Sequence, residues 1–150
     1  MDRFKGSTRA KRALDAYVKL LRAAESVTAR VTRRLDAAGL TISQFGALEA
    51  LYHLGPLCLS DLARKILKTS GNLTLVVDNL EKRGLVSRCS DAADRRFVRV
   101  SLTPAGKRLV SGIFPAHARE ITHALSALSP AEQATLAALC RKLGLAQQER

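Results

Sequence analysis

The chain has 150 residues, of which 25 are basic and 13 acidic, giving a formal net charge of +12 at pH 7. Its 47% hydrophobic and 25% charged residues are typical of a folded domain and exclude a disordered basic tail. The longest stretch without a charged side chain is the 12 residues between Asp36 and Glu49, which is too short for a transmembrane helix. The basic excess predicts a polyanionic partner, with nucleic acid favoured over an anionic membrane.

The cysteines and histidines predict neither a disulfide framework nor a metal site. Three cysteines without a CxxC spacing fit a reducing cytoplasm, and the N-terminal segment lacks the apolar core of a secretory signal. The three histidines form no HxxxH motif and no cluster with cysteine, so no metal or cofactor is expected. The sequence has no GxSxG, HExxH or glycine-rich phosphate loop, which argues against an enzyme and leaves no catalytic candidate.

The first predicted helix is long and amphipathic. Apolar residues recur at helical spacing from Leu14 to Leu35, and Gly39 follows as the predicted C′ residue. Residues 1–34 hold 10 of the 25 basic residues but only 3 of the 13 acidic ones. A long helix with a narrow apolar stripe and charged flanks usually packs against other helices, and here it predicts half of a dimer seam.

Two further helices are predicted before residue 68. Thr41 and Gln44 have the spacing of a capping box, so a helix should begin there, and Gly55 should end it. Ser60 is the predicted N-cap of a short helix over residues 61–67.

A polar-faced helix is predicted next. Thr69 or Ser70 should cap it, and it should run to about residue 83, with Gly84 as its C′ residue. Two short helices joined by a tight turn, the second with a polar outer face, are typical of a helix-turn-helix. The buried stripe of the second helix is predicted to be Leu73, Val76, Val77 and Leu80.

The apolar pattern then changes to alternation. Residues 85–89 and 98–102 are predicted strands, and the polar residues 90–96 form the turn between them. The sequence therefore predicts a β-hairpin, or wing, directly after the helix pair.

Two more helices complete the chain. Thr103 is the predicted N-cap of the first, and Pro115 should kink or divide it. Ser129 and Glu132 form a second predicted capping box, at the start of the last helix.

The polar-faced helix and the wing carry the candidate DNA contacts. Short polar side chains on a helix read base edges in the major groove, whereas hydroxyls, amides and cations hold phosphates. An arginine at a hairpin tip suits a narrow minor groove, and an aspartate beside it can hold the guanidinium. For each candidate, the alternative is a solvated face, a cap or an ordinary charged turn. The base-reading candidates are Ser70, Gly71, Asn72, Thr74 and Leu75, the phosphate candidates are Ser60, Lys68, Thr69 and Lys82, and the wing candidates are Arg88, Asp94, Arg95 and Arg96.

Several runs of the sequence closely resemble one family, the MarR family of bacterial transcription regulators. Three of them match the family elements D-x-L-E-x-x-G-L-V, D-x-x-D-R-R and V-x-L-T-P-x-G, and two others match its L-T-x-x-Q-F and L-S-x-L-A stretches. The specific motifs cover about residues 40–106. The matching runs are LTISQF at 40–45, LSDLA at 59–63, DNLEKRGLV at 78–86, DAADRR at 91–96 and VSLTPAG at 100–106.

The resemblance implies a mainly α (α+β) fold and a DNA-binding homodimer. It implies an N-terminal dimerisation helix with a basic leader (1–38), a winged helix-turn-helix lobe (39–103) and C-terminal dimerisation helices (104–150). The two lobes should reach successive major grooves of a pseudo-palindromic operator, with half-sites about 10 base pairs apart. The expected partner is double-stranded DNA and not a membrane, and the expected role is a cytoplasmic repressor or, less often, an activator. The family's minor-groove arginine corresponds to Arg96 or, as the alternate, Arg95.

Many members of the family release DNA when a small aromatic ligand binds between the subdomains, which implies an effector pocket here. For each candidate residue, core packing or a dimer contact is the alternative. Other members sense peroxide through a cysteine on the first helix, and this sequence has none there. Cys89 and Cys140 are interpreted as small hydrophobic residues, whereas a sensing role for Cys58 stays open. The pocket candidates are Tyr17, Arg22, Phe45, Tyr52, His53, Phe114 and His117.

Two alternatives to a sequence-specific regulator of this kind remain. One is a basic architectural protein that coats DNA without sequence preference, and the other is a cysteine-based redox-sensing regulator. A large ratio of specific to non-specific affinity, typically 10³ or more, distinguishes a sequence-reading protein from an architectural one.

Overall fold

The structure is a computed structural model that describes residues 5–66, 70–90 and 98–148. Helices dominate it and a small sheet accompanies them, so the predicted mainly α (α+β) fold is confirmed. Within the described residues, no helix has the length and apolar content needed to cross a membrane. In chain order the elements are α1 (Thr8–Ala37), α2 (Ile42–Leu54), β1 (Leu57–Cys58), α3 (Leu59–Lys65), α4 (Ser70–Lys82), β2 (Val86–Ser90), β3 (Val98–Leu102), α5 (Pro104–Ala124) and α6 (Pro130–Gln148).

The chain forms two compact units. We call residues 1–31 with 119–150 the terminal unit, and residues 32–118 the central unit. The boundaries between the units fall inside α1 and α5 rather than between elements. The finer domain division expected from the sequence, with its dimerisation helices, stays a prediction.

The core of the central unit is formed by one apolar face from each of its elements. Leu73, Val77 and Leu80 of α4 are completely buried in it, together with Leu48 of α2 and Val100 of β3. Burying a side chain of this size contributes about 1.5–3 kcal/mol each. The predicted buried stripe of α4 is thus confirmed at these three positions, and its fourth member, Val76, packs partly buried against the same core.

Both predicted capping boxes are confirmed. At the start of α2, Thr41 Oγ1 accepts from the Gln44 amide (3.1 Å), and Gln44 Oε1 accepts from the Thr41 amide (3.0 Å). At the start of α6, Glu132 Oε2 accepts from the Ser129 amide (2.8 Å), and Ser129 Oγ accepts from the Glu132 amide (3.4 Å). Each box satisfies two amide groups that an uncapped helix would leave without a partner.

The ends of α1 and α4 meet at a single arginine. Gly39 and Gly84, the predicted C′ residues of these helices, have φ values of 64° and 66°, which glycine adopts without strain. Arg83 donates to the carbonyl oxygen of Gly39 (2.7 Å) and to that of Ala38 (3.2 Å). The guanidinium therefore satisfies carbonyl groups just beyond α1 and ties them to the end of α4.

The sheet has three antiparallel strands in the order β1-β3-β2. β2 and β3 pair from Val86 opposite Leu102 to Ser90 opposite Val98, which confirms the base of the predicted hairpin. Residues 91–97, which join the two strands, lie outside the described residues.

The third strand, β1, was not predicted, and it changes the start of α3. Leu57 pairs with Val100 and Cys58 with Arg99, so the chain is extended up to Cys58 and helical from Leu59. Cys58 is the N-cap and makes no side-chain cap hydrogen bond. The prediction that Ser60 caps this helix was therefore wrong, because the strand ends two residues earlier than the cap motif required.

The junction between β3 and α5 is tightly packed against the end of α4. Thr103 Oγ1 accepts from the Gly106 amide (3.0 Å), which confirms it as a cap, and donates to the carbonyl oxygen of Gly84 (2.7 Å). A Cβ atom on Gly106 would lie 2.0 Å from the carbonyl oxygen of Leu85, so only glycine fits. α5 then continues through Pro115 to Ala124, so this proline does not divide the helix, and the alternative of a kink stays a prediction.

Candidate nucleic-acid interface

The outward face of α4 carries the base-reading candidates. Asn72, Thr74 and Leu75 are exposed, and 62% of the Leu75 surface is accessible. Gly71 is also exposed, and a Cβ there would meet nothing within 4 Å, so the backbone at this end of α4 is open to close approach. Ser70 is the first residue of α4. The structure brings these candidates together on one helix.

A groove runs between this face and the start of α2. Its volume is about 340 Å³, and both walls carry short polar side chains. The capping side chains of α2 thus lie beside the helix that carries the base-reading candidates. The sequence predicted Thr41 and Gln44 only as helix caps, and no local signal could pair them with α4, which follows about 30 residues later. The lining residues are Thr41, Ser43, Gln44, Asn72, Leu75, Val76 and Asn79.

The candidates for phosphate and wing contacts are only partly described. Lys82 is exposed at the last position of α4, and Ser60 is exposed in α3. Two phosphate candidates and three wing candidates lie outside the described residues, and their roles stay predictions. These five residues are Lys68, Thr69, Asp94, Arg95 and Arg96.

Arg88 is held at the base of the wing by two carboxylates of α4. Its guanidinium donates to Asp78 Oδ1 (2.6 Å) and to Glu81 Oε2 (2.5 Å), and its backbone amide donates to Glu81 Oε1 (3.2 Å). Only 23% of the Arg88 side chain is exposed. Partial burial alone would lower the pKa of Arg88, but the hydrogen bonds to Asp78 and Glu81 outweigh it and raise the pKa. Arg88 is therefore a fixed cation that links β2 to α4.

A cluster of aromatic rings joins α2 to α5 in the central unit. Ring centroids lie 4.6 Å apart for Phe45 and His117, 4.8 Å for His53 and Phe114, and 5.2 Å for Tyr52 and His53, each pair edge to face. His117 is 93% buried, since only 7% of its surface is exposed, and its Nδ1 atom has no hydrogen-bond partner. A buried ring nitrogen without a partner carries a desolvation cost that a bound polar group would relieve.

The two remaining pocket candidates, Tyr17 and Arg22, lie on α1 in the terminal unit. Both are exposed, Tyr17 by 58% of its surface. The five residues of the aromatic cluster are thus brought together within the central unit, and a shared pocket with the two α1 residues stays a prediction.

Cys58 is hydrogen-bonded at the start of α3. Its thiol lies 3.1 Å from Ser60 Oγ and donates to Asp61 Oδ2, also at 3.1 Å. This thiol, together with the Arg64 guanidinium, lowers the pKa of Asp61. Cys89 and Cys140 are exposed rather than buried as small hydrophobic residues. Within the described ranges, no three histidine, cysteine or acidic side chains are grouped so that they could hold a metal ion.

Comparison with known proteins places this geometry among DNA-binding regulators. Residues 40–98 match the model of the MarR family. YkoM of Bacillus subtilis, an HTH-type transcriptional regulator, is 38% identical over 91% of this chain and 89% of its own. Bordetella bronchiseptica BpsR, whose DNA binding is regulated by 6-hydroxynicotinic acid, superposes with a TM-score of 0.75 at 33% identity over 83% of this chain and 89% of its own. S. aureus MepR, solved as a DNA complex, superposes with a TM-score of 0.75 at 25% identity over 87% and 97% of the two chains.

Proposed function

Because this chain belongs to the MarR family of transcriptional regulators, we propose that it is a cytoplasmic repressor that binds a pseudo-palindromic operator as a homodimer. The observation that carries the proposal is the construction of α4. Its apolar stripe is completely buried at Leu73, Val77 and Leu80, while Asn72 and Leu75 are exposed on the other side. The exposed side of such a helix can enter a major groove while its apolar side stays buried in the core.

The exposed side chains of α4 fit base edges. The Asn72 amide has the donor and acceptor needed for adenine N6 and N7, and Leu75 can contact a thymine methyl group. Gly71 allows the backbone to approach the duplex closely. In this proposal Ser43, which lines the groove at the start of α2, and Lys82, at the end of α4, bind phosphates beside the base contacts.

The wing completes each lobe by contacting the minor groove. Arg96, or Arg95 as the alternate, supplies the guanidinium there. Arg88 instead fixes the wing to α4, since Asp78 and Glu81 occupy its guanidinium. Arg96→Ala should weaken operator binding by about 1–3 kcal/mol and leave the dimer intact. If neither Arg96→Ala nor Arg95→Ala changes the affinity in a gel-shift titration, the wing assignment is wrong.

The terminal unit supplies the dimer contacts in this proposal. It exposes eight large apolar or aromatic side chains on two helices, each with 37–59% of its surface accessible. Exposed apolar surface on this scale is typical of protein interfaces. Sedimentation at micromolar concentration tests the dimer, and a monomer would contradict it. The exposed residues are Leu14, Tyr17, Leu20 and Leu21 of α1, and Leu136, Leu139, Leu143 and Leu145 of α6.

A small aromatic acid or phenol is the proposed effector. Supporting this are the regulation of the similar protein BpsR by 6-hydroxynicotinic acid and the unpartnered, buried Nδ1 atom of His117 beside Phe45. A ligand that favours one arrangement of the lobes by a few kcal/mol would shift the population away from the DNA-binding state. Calorimetry with 6-hydroxynicotinic acid and related aromatic acids tests this, with His117→Phe as the variant that should lose binding.

Selection of bound duplexes from a random pool tests the whole proposal. A dimeric regulator should enrich two inverted half-sites about 10 base pairs apart and bind them at least about 10³-fold more tightly than random DNA at physiological salt. An unenriched pool would instead identify a non-specific architectural protein. Oxidation with peroxide, compared between the wild type and Cys58→Ser, tests the redox alternative.

A further inference from the structure

One face of α1 is basic along most of the helix. At 3.6 residues per turn, five cations of the terminal unit project from an arc about 100° wide and about 28 Å long. The apolar residues Leu14, Tyr17 and Leu21 project from the opposite side of the same helix. All five cations are exposed. We call these residues the basic face: Lys11, Arg12, Lys19, Arg22 and Arg30.

Most of these charges are not neutralised within the chain. Lys19 Nζ pairs with Asp15 Oδ2 at 2.6 Å, and both side chains are more than half exposed. Throughout residues 5–66, 70–90 and 98–148, no acidic side chain forms an ion pair with Arg12, Arg22 or Arg30. The basic face therefore presents a net positive surface to solvent.

The cations near the N-terminus do not serve the stability of α1 itself. The first turn of the helix contains no acidic residue, although a carboxylate there would interact favourably with the helix dipole. Arg9, Lys11 and Arg12 lie near that end instead, where positive charge is unfavourable. Repulsion between these cations adds to this cost. An external anion would offset both effects.

We propose that the basic face binds the phosphates of a second DNA duplex, independent of base sequence, while α4 reads the operator. A duplex carries one negative charge per about 1.7 Å of its axis, or roughly 16 charges over the length of the basic face. Arginine, which supplies three of the five cations, forms paired hydrogen bonds with phosphate. A bound operator would thereby be joined to a distant DNA segment.

A membrane surface fits the helix less well. A membrane-bound amphipathic helix inserts its apolar side into the headgroup boundary, and that side of α1 is assigned to the dimer in the proposed function. The basic face is then left to act by charge alone, which suits the regular phosphate array of a duplex.

The test is capture of a second duplex. A short operator, about two half-sites long, is immobilised and saturated with the protein, and a labelled random-sequence duplex of about 30 base pairs is added over a salt series. The variant is Lys11→Gln/Arg12→Gln/Arg30→Gln. The control is Lys107→Gln/Arg141→Gln/Lys142→Gln, which removes the same charge from exposed positions on α5 and α6.

Wild type and control should capture the labelled duplex equally. The triple α1 variant should bind it at least about 10-fold more weakly, with a salt dependence reduced by about 2–3 units of log K against log salt. Circular dichroism and sedimentation check that its fold and assembly match the wild type. Equal losses in variant and control, or unchanged capture by the variant, would overturn the inference.

Further results distinguish failure of this inference from failure of the proposed function and from membrane binding. It rests on the proposed function for the first duplex, so a wild-type protein with no preference for the operator marks failure of that function. A wild-type protein that holds the operator but captures no second duplex marks failure of the basic face alone. Binding of phosphatidylserine vesicles that the α1 variant loses, without duplex capture, would assign the basic face to a membrane and overturn the inference.

Discussion

The Arg88 guanidinium donates to Asp78 Oδ1 over 2.6 Å and so joins β2, at the base of the wing, to the middle of α4. Glu81, one turn further along α4, accepts a second bond from the same guanidinium. The helix assigned to the major groove and the hairpin assigned to the minor groove thus share one cation. The base of the hairpin is thereby held against α4 without DNA, which in the proposed function reduces the ordering cost of binding.

Arg88→Met should loosen this connection. It leaves two carboxylates of α4 without their partner, and we expect a loss of about 1–2 kcal/mol in the free energy of unfolding, with a weaker operator complex. Arg64→Met is the matched control, because Arg64 also pairs with a carboxylate, that of Asp61, but is 77% exposed and should cost at most about 0.5 kcal/mol. Urea titration of both variants measures the loss in the free energy of unfolding. Equal losses for the two variants would contradict the positioning role of Arg88.

Gly106→Ala should destabilise the central unit. The added Cβ would lie 2.0 Å from the Leu85 carbonyl oxygen, which is backbone and cannot rotate away, so we expect a loss of at least about 1–3 kcal/mol. Gly112→Ala is the control in the same helix, because its Cβ would meet nothing within 4 Å, and alanine should stabilise α5 there by about 0.5–1 kcal/mol. The thermal midpoints of the two variants should therefore shift in opposite directions from that of the wild type. A shift of both midpoints in the same direction would refute the close packing at Gly106.

Asn72→Ala and Lys82→Ala should affect DNA binding in different ways. Loss of the Asn72 amide should relax base preference at one position of each half-site, at a cost of about 1–3 kcal/mol on the operator. Loss of the Lys82 ammonium should weaken all sequences alike and reduce the salt slope by about 1. Site selection and salt titration on both variants check this. An unchanged selected sequence with Asn72→Ala would remove that contact from the proposal.

Acid should weaken the start of α6. The Ser129 backbone amide and hydroxyl lower the pKa of Glu132 below its ordinary value of 4.5. A depressed carboxyl pKa adds stability that is complete above the unfolded pKa and is lost as the pH falls through the folded one. As the pH drops below about 4.5, the temperature of the unfolding midpoint should therefore decrease, in part because of Glu132. Glu132→Gln should show a smaller fall than the wild type or the Glu25→Gln control, and identical pH profiles for all three would contradict it.

Local features of the fold were predictable because their partners lie close in the sequence. The two capping boxes, Thr41 with Gln44 and Ser129 with Glu132, each span three residues, and both form as expected. Gly84 follows α4 with the positive φ that its C′ position requires. Such features depend on backbone geometry that a few neighbouring residues decide.

Features that depend on distant partners were missed. β1 is two residues long, and it exists because Leu57 pairs with Val100, more than 40 residues later. The predicted Ser60 cap failed for the same reason. The guanidinium of Arg88 donates to Glu81 and Asp78 of α4, which lie 7 and 10 residues earlier in the chain. The sequence alone had predicted Arg88 as a wing contact to DNA. Charge and spacing identify such a side chain as important but not which group it faces.

The brevity of β1 has a consequence for the protein at high concentration. This outer strand offers only Leu57 and Cys58 before α3 begins. A longer, flat outer strand would present a row of free amides and carbonyls on which a neighbouring chain could add its own strand. With so little ladder available on this side of the sheet, a neighbouring chain finds almost nothing to pair with there, even where many copies crowd together.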